Sequence, residues 1–275
     1  MRTQFTRKFG GAIIALLVTS LIAIVSIGDY TPIKEIKASN SHVIVCSGHD
    51  PVFNGEYMTY GKQSPTWEDG LKIYEGRSCQ LLALELTEKL IDAQIDVTYL
   101  NPYSHKLSLL ERVTEVNKIF KIDKRVLLIS LHHNAQQTKT APYIDKYGQK
   151  GYLSTADGGA TGIESYTSVG YTESDNLNNN FIIPELQKEF PDIKFRTGHK
   201  TLGKEANFYV LTQTNCTAVL IEWMFMTTYT DCLIISNSDY RNRYTDAICR
   251  ALVSYDKSRA IRSGKSITKP LDIVA

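Results

Sequence analysis

Two short apolar runs constrain the fold of this 275-residue chain most strongly. Residues 43–46 read Val-Ile-Val-Cys, and residues 125–131 read Arg-Val-Leu-Leu-Ile-Ser-Leu. Such runs are typical of strands that are buried on both faces of a parallel sheet. An amphipathic segment, residues 71–92, follows the first run and leads into a β-rich stretch at 95–100. This strand-helix-strand order favours a right-handed parallel connection, so the sequence predicts an α/β domain.

The rest of the chain continues the alternation. We expect a helix at 109–120, a strand at 161–166, a mostly helical stretch at 176–190 with Pro184 at a start or break, strands at 208–211 and 218–222, and a closing helix from Asp239 capped by Ser238. The polar passage 136–160 exceeds ordinary connections, which predicts a lid or groove-lining insertion. The predicted fold is a three-layer αβα sandwich with a mostly parallel central sheet over residues 42–258, followed by a polar tail at 259–275.

The N-terminal segment differs from the rest of the chain. Arg2, Arg7 and Lys8 precede an uncharged run at 9–28, which matches the roughly 20 apolar residues needed to span a bilayer. The basic flank predicts a cytoplasmic N terminus and an exported domain facing the periplasm or cell wall.

This run has two exported outcomes and one alternative. It either remains as a membrane anchor, which its length favours, or is removed as a signal peptide within residues 1–30, for instance after Gly28. In the second case the protein is secreted. A buried N-terminal helix is the alternative, and residues 31–41 are expected to form a linker.

Charge and cysteine content limit the remaining possibilities. The formal net charge is only +2, and the basic residues are scattered, which argues against a nucleic-acid partner. Five cysteines are an odd number for an exported protein, so at least one is free or pairs between chains. Cys46, Cys79 and Cys249 lie within apolar patterns and are predicted to be small core residues. We expect a monomer.

Ionisable side chains lie at or directly after the ends of three predicted strands. Gly48-His49 follows the first strand, His132 follows the 125–131 strand, and Glu222 ends the 218–222 strand. The carboxyl ends of parallel strands meet at one edge of a sheet, so we expect these side chains to be neighbours. Glu75 lies in the first turn of the long helix, which should begin near the same edge.

Together these residues have the composition of a zinc hydrolase site. Two imidazoles and a carboxylate are a typical ligand set for catalytic zinc, and a second carboxylate can take a proton from water. Each residue also has a simpler interpretation: His49 as a loop residue and Glu75 as a surface carboxylate at a helix start. His133 competes with His132, although strand alternation directs the two to opposite faces. Glu222 stands out because a carboxylate after a buried apolar run needs a partner.

A series of motifs runs along the chain in a recognisable order: Val43 to His49, Glu75 with Ala83-Leu84-Glu85-Leu86, Leu109 with Arg112 and Asn117, Ser130-Leu131-His132-His133-Asn134-Ala135, Gly162 to Tyr166, and Ala218 to Glu222 with Phe225. In the order of these motifs the chain resembles the zinc-dependent N-acetylmuramoyl-L-alanine amidases of the amidase-3 type. This resemblance implies one zinc ion bound by His49, Glu75 and His132, with Glu222 as the catalytic base. The implied substrate is peptidoglycan, cleaved between N-acetylmuramic acid and L-alanine.

The chain departs from the family pattern at two places beside the predicted site. Asp50-Pro51 stands where Gly-Gly usually follows the first histidine, and Trp223-Met224 follows the glutamate where a Gly is common. Two alternatives to the amidase remain open at this point. One is another zinc peptidase or amidohydrolase of the cell wall, and the other is an inactive membrane-tethered wall-binding regulator.

Overall fold

A computed structural model describes residues 39–49, 62–101, 107–136, 159–198 and 201–264, together with the backbone of four short strands outside these ranges. The strands are β1 (His42–Ser47), β2 (Val52–Phe53), β3 (Glu56–Tyr57), β4 (Asp96–Tyr99), β5 (Val126–Asn134), β6 (Thr140–Ile144), β7 (Lys150–Ser154), β8 (Ile163–Thr167), β9 (Lys204–Glu205) and β10 (Thr217–Phe225). The helices are α1 (Glu75–Asp92), α2 (Leu109–Ile122), α3 (Thr172–Leu177), α4 (Ile183–Glu189), α5 (Tyr209–Thr212), α6 (Tyr229–Ser236) and α7 (Ser238–Arg262), with a π-helical turn at Asn178–Ile182 between α3 and α4.

Six strands form the central sheet in the order β4-β1-β5-β10-β8-β9. Every pairing in it is parallel except that of β10 with β8, which is antiparallel. Helix α1 makes the crossover from β1 to β4, as the strand-helix-strand pattern predicted. Strands β1, β5 and β10 lie side by side, so their carboxyl ends share one edge. The predicted α/β class, with a central sheet flanked by helices, is confirmed.

The alternation of side chains along the strands builds a core on each face of the sheet. One face packs against α1, α4 and α7 and includes Val43, Val45, Leu127, Ile129, Val219 and Ile221. The other packs against α2 and α5 and includes Ile44, Cys46, Leu128, Ala218 and Leu220. Each fully buried aliphatic side chain contributes about 1.5–3 kcal/mol, so these two layers hold the strand ends in fixed register.

Helix α1 begins at Glu75, four residues later than the predicted start at residue 71. The preceding residues are extended: Tyr74 pairs with Gln63 in an antiparallel bridge, and the Glu75 amide donates to the Lys62 carbonyl. The apolar stripe that predicted the helix does exist, because Leu82, Leu86 and Leu90 are fully buried. The apolar stripe therefore predicted where the helix lies, and the pairing of residues 62–63 with residues 74–75 determines its first residue.

Two other sequence predictions are wrong in detail. Residues 208–211 are not a strand, because α5 turns there and the Thr212 amide donates to the Phe208 carbonyl. The cap of α7 is Asn237 and not Ser238, because the Asn237 side chain accepts from the amides of Asp239 and Tyr240.

Strands β5 and β10 both extend beyond their predicted ends. Strand β5 continues to Asn134, and β10 continues to Phe225. His132 consequently lies inside a strand and not after it, and Glu222 lies inside a strand and not at its end. They are paired with each other in the register between β5 and β10.

The closing helix and the polar passage also differ from the sequence prediction. Helix α7 ends at Arg262, so it runs four residues past the predicted domain end at 258. Within the passage 136–160, strands β6 and β7 form an antiparallel pair, and its role as a lid stays a prediction. Pro184 is the second residue of α4, directly after the π-helical turn, so it lies at a helix start as predicted.

The predicted anchor at 9–28 lies wholly outside the described residues. Most of the predicted linker at 31–41 and most of the 259–275 tail also lie outside them. No helix within the described part of the chain is long and apolar enough to cross a membrane. All five cysteines are free, and Cys46 and Cys79 are buried in the core as predicted, whereas Cys249 is half-buried.

Candidate active site

The end of β1 brings His49 to the edge of the sheet. The Gly48 amide donates to the Leu131 carbonyl of the neighbouring strand at 2.6 Å, which extends the pairing beyond β1. A Cβ at Gly48 would lie 2.5 Å from Nδ1 of His132, so only glycine permits this approach. His49 follows with φ of 59°, in the left-handed region that non-glycine residues seldom adopt. The backbone turn thereby directs His49 toward α1.

Glu75 joins the two predicted histidine ligands. Its side chain is almost fully buried, with Oε2 3.2 Å from Nε2 of His49 and Oε1 3.2 Å from Nδ1 of His132. Burial alone would raise the pKa of Glu75, but the nearby imidazoles of His49 and His132 outweigh it and hold the pKa well below its usual range. As the first residue of α1, Glu75 also lies at the positive end of the helix dipole. The carboxylate is therefore ionised between two nitrogen donors.

Strand β5 separates its two adjacent histidines, as alternation predicted. His132 faces the candidate site and contacts Glu75, while its other nitrogen, Nε2, lies 3.2 Å from the Ser130 hydroxyl. His133 points to the opposite side of the sheet and is buried. Its pKa is lowered by that burial, which favours the neutral ring. His132 is thus the one of these two histidines whose side chain lies in the candidate site.

His49, Glu75 and His132 form a possible metal-binding group. One ligand atom from each residue can be chosen so that all three atoms lie within 4.8 Å of one another. The rings of His49 and His132 meet edge to face, with centroids 5.3 Å apart. The structure therefore brings together the three residues that the sequence proposed as ligands.

Glu222 lies beside this group on β10. It is paired with His132 on one side and with Glu164 of β8 on the other. Burial raises the pKa of Glu222 to about 7, with His132 opposing the shift and the carboxylates of Glu75 and Glu164 adding to it. Its Oε2 is shielded from solvent and accepts no hydrogen bond from the described residues. Glu222 can consequently gain and lose a proton near neutral pH.

Glu164 is a second buried carboxylate beside the site, and it is fully hydrogen-bonded. Its Oε1 accepts from Nε of Arg196 and Nζ of Lys204, each at 2.7 Å. Its Oε2 accepts from Nδ2 of Asn134 at 2.7 Å and from the Tyr166 hydroxyl. The two cations keep this carboxylate ionised and hold it in place. Glu222 differs, because its Oε2 accepts no hydrogen bond from the described residues.

Arg112 of α2 clamps the backbone on either side of Gly48. Its Nη1 donates to the Ser47 carbonyl, its Nη2 donates to the His49 carbonyl at 2.9 Å, and its Nε donates to the Leu107 carbonyl at 3.0 Å. The side chain is 5% exposed. Because the guanidinium fork has fixed geometry, these bonds hold the turn that carries His49.

A cavity of about 390 Å³ opens over the two histidines and Glu222. Its walls combine apolar and cationic side chains: Leu107, Leu109, Phe208, Tyr209, Val210 and Leu220 with Lys62 and Arg112. No sequence pattern indicated Lys62, Phe208 or Tyr209 as site residues, because all three lie on segments whose approach to the site depends on tertiary packing. Asn117 lies on the same helix as Arg112 but does not line the cavity. Its side chain donates to the Gln213 carbonyl and accepts from the Asn215 amide.

Comparison with known proteins assigns the chain to a family. A family model described as N-acetylmuramoyl-L-alanine amidase, of the amidase-3 type, matches residues 43–254. A comparison with curated protein sequences gives no match.

Several solved amidase structures share the fold. An N-acetylmuramoyl-L-alanine amidase from Clostridium difficile 630 has a TM-score of 0.58 and 24% identity, over 80% of this chain and 99% of that chain. The CwlD amidase from Clostridioides difficile, solved in complex with the GerS lipoprotein, has a TM-score of 0.58 and 16% identity, over 79% and 100%. AmiC2 of Nostoc punctiforme has a TM-score of 0.57 and 18% identity, over 80% and 99%. At these identities the likeness concerns the fold, and the family model covers most of the chain. The protein belongs to the amidase-3 family of N-acetylmuramoyl-L-alanine amidases.

Proposed function

We propose that this protein hydrolyses the amide bond between the lactyl group of N-acetylmuramic acid and L-alanine in peptidoglycan, as a zinc enzyme. The observation that carries the proposal is the convergence of His49, Glu75 and His132, with both histidines and Glu222 lining one cavity. Membership of the amidase-3 family supports the reaction, and the geometry of the site supports the roles that we propose for these residues.

The donor set suits a zinc ion. Two imidazole nitrogens and a carboxylate oxygen, all within 4.8 Å of one another, form a three-ligand set of the kind that leaves a coordination position open. The ligands would be His49, Glu75 and His132. A zinc ion held by these residues would supply Lewis acidity to the scissile carbonyl and would lower the pKa of water towards about 7.

Glu222 is the proposed proton carrier. Its carboxylate takes a proton from the attacking water as a new C–O bond forms at the amide carbon. It then gives this proton to the nitrogen of L-alanine as the C–N bond breaks. The products are a lactyl carboxyl group on the sugar and a free L-alanine N terminus on the stem peptide. The buried Oε2 and a pKa raised to about 7 suit both halves of this transfer.

The cavity walls are proposed to orient the substrate. Leu107, Phe208 and Val210 provide an apolar side that excludes water from the carbonyl, and Lys62 places a positive charge at the opening. Arg112 faces the cavity but acts mainly on the backbone of residues 47–49. Exclusion of bulk water strengthens the electrostatic interactions that act on the reacting groups.

The location that we propose follows from the substrate and from the N terminus. Peptidoglycan lies outside the cytoplasmic membrane, and the uncharged run at 9–28 with its basic flank would export the chain. The domain would then act from the outer side of the membrane, either tethered by this segment or released after cleavage.

The test is a digestion of peptidoglycan with the purified full-length protein, with and without a chelator and with zinc restored. We expect new L-alanine N termini and peptide-free glycan, loss of both products after chelation, and their return with about one zinc per chain. Glu75→Gln should lose zinc, whereas Glu88→Gln, an exposed change on the same helix, should retain it. New termini other than L-alanine would instead support a cell-wall peptidase.

A further inference from the structure

His133 has two buried hydrogen bonds that the proposed reaction does not use. Its side chain lies behind the sheet, with only 2% of the residue exposed. Nδ1 lies 2.6 Å from the Trp223 carbonyl, and Nε2 lies 2.8 Å from the Ser78 hydroxyl. A carbonyl can only accept, so Nδ1 carries the proton; the neutral ring then accepts the Ser78 hydroxyl at Nε2.

One end of this bridge lies in a bulge of β10. Glu222 is paired with His132, and Phe225 is paired with Asn134, so two residues of β10 face the single residue His133. The extra residue makes this a β-bulge, a feature that bends a strand and redirects its side chains. Met224, inside the bulge, has φ of 64°, which is a costly conformation for a non-glycine residue. The His133 ring holds the carbonyl at the start of this bulge, one residue after Glu222.

The other end of the bridge lies on α1. Ser78 is three residues after Glu75, so both side chains lie on the same side of the helix. The His133 amide also donates to Oε1 of Glu75 at 3.2 Å. His133 therefore contacts the helix that carries one predicted metal ligand and the strand that carries the predicted proton acceptor.

We propose that His133 is a positioning residue that fixes the carboxylate of Glu222 relative to Glu75 by bridging Ser78 and the bulge at Trp223. This inference rests on the proposed function, because the position of Glu222 relative to Glu75 matters only if Glu222 carries the proton and Glu75 binds zinc. Outer residues that orient metal ligands typically change metal affinity or activity by about 10- to 100-fold when they are removed.

Three variants of the full-length protein separate the two ends of the bridge. His133→Phe keeps an aromatic ring and breaks both ends. His133→Asn places an amide nitrogen near the position of Nδ1, so it keeps the bulge end only. Ser78→Ala also leaves only the bulge end. Asn117→Ala, which breaks hydrogen bonds away from the cavity, is the control for a loss of stability without a change in the site.

We expect His133→Phe to lower kcat about tenfold or more at saturating zinc, with KM within twofold of the wild-type value. His133→Asn and Ser78→Ala should each lower kcat less than His133→Phe does. Their losses should be similar to each other, because both variants break only the hydrogen bond at Ser78. Asn117→Ala should retain kcat even when its melting temperature falls. A His133→Phe kcat within twofold of wild type, or a His133→Asn variant no better than His133→Phe, would overturn the proposal.

Zinc affinity gives a second readout that needs no substrate. Competition with a chromogenic chelator should show zinc binding about tenfold weaker in His133→Phe and nearly unchanged in Asn117→Ala. Unchanged affinity in His133→Phe would count against the bridge. If the wild-type protein binds zinc but cleaves no peptidoglycan, the proposed function fails, and the zinc comparison still tests the position of Glu75.

Discussion

Gly48 lies so close to His132 that a Cβ at position 48 would be 2.5 Å from Nδ1 of the imidazole and 2.7 Å from the Leu131 carbonyl. The nearest obstacles are a predicted metal ligand and backbone, so neither can move without changing the site. We expect Gly48→Ala to weaken zinc binding at least about tenfold and to lower amidase activity in parallel. Chelator competition and a peptidoglycan assay measure the two effects.

Gly170→Ala is the control for that substitution. No atom lies within 4 Å of a Cβ built at Gly170, although its φ of 75° makes the change mildly destabilising. It should leave zinc affinity unchanged. Equal zinc affinity in Gly48→Ala and the wild type would show that the close approach is not needed for the metal site.

Arg112 provides the second prediction. Arg112→Met removes donors from the carbonyls of Ser47, which is buried, and His49, which is partly buried, and keeps the apolar stem. Hydrogen bonds of a charged group contribute about 1.5–3 kcal/mol, so we expect the free energy of unfolding to fall by about 2–3 kcal/mol and zinc binding to weaken. Urea denaturation of the metal-free protein measures the first effect. Arg77→Met, an exposed change on α1, should alter neither, and an equally stable Arg112→Met would refute the clamp.

The position of the site was predictable from sequence because it depends on strand ends. Buried runs located β1, β5 and β10, and parallel strands place their carboxyl ends together, which brought His49, His132 and Glu222 to one edge. Strand alternation also separated His132 from His133. The exact ends of β5 and β10 were not predictable, because His132 and Glu222 are polar and yet continue the ladder with each other.

Other parts of the fold depended on contacts that no local pattern contains. The apolar residues at 208–211 fit a strand as well as a helix, and only packing of Val210 and Leu211 against α2 and the sheet decides for α5. Lys62 reaches the cavity because its carbonyl pairs with the Glu75 amide. The role of Arg112 as a backbone clamp likewise needs the tertiary approach of α2 to the end of β1.

Trp223 directly follows Glu222 on β10, and its environment explains how the core accommodates so large a side chain. The indole is fully buried and stacks on Tyr244 with ring centroids 4.4 Å apart. Removing a buried tryptophan costs about 3–5 kcal/mol, so we expect Trp223→Ala to lower the free energy of unfolding by that amount. Trp223→Phe keeps the stacking and should lose less. Urea midpoints that do not differ between the two variants would contradict this packing.

Stability in acid should depend on Asp123. The hydrogen bond from Arg125 holds the pKa of Asp123 at about 2, below its ordinary value of 3.8. A carboxyl whose folded pKa is lowered stabilises the fold above its unfolded pKa, and that contribution disappears as pH falls through the folded pKa. We expect stability to fall between about pH 4 and pH 2, and Asp123→Asn to flatten this fall. Urea midpoints across that pH range measure it, and parallel curves for both proteins would rule out this role.

The central claim is that Glu222 moves the proton during cleavage of the bond to L-alanine. The most direct measurement compares wild type and Glu222→Gln, each loaded with zinc, by mass spectrometry of the peptidoglycan fragments and their new N termini. We predict L-alanine termini from the wild type and a rate about 10²–10⁴-fold lower for Glu222→Gln, with zinc content unchanged. Full activity in Glu222→Gln, or wild-type cleavage at a different bond, would contradict the claim.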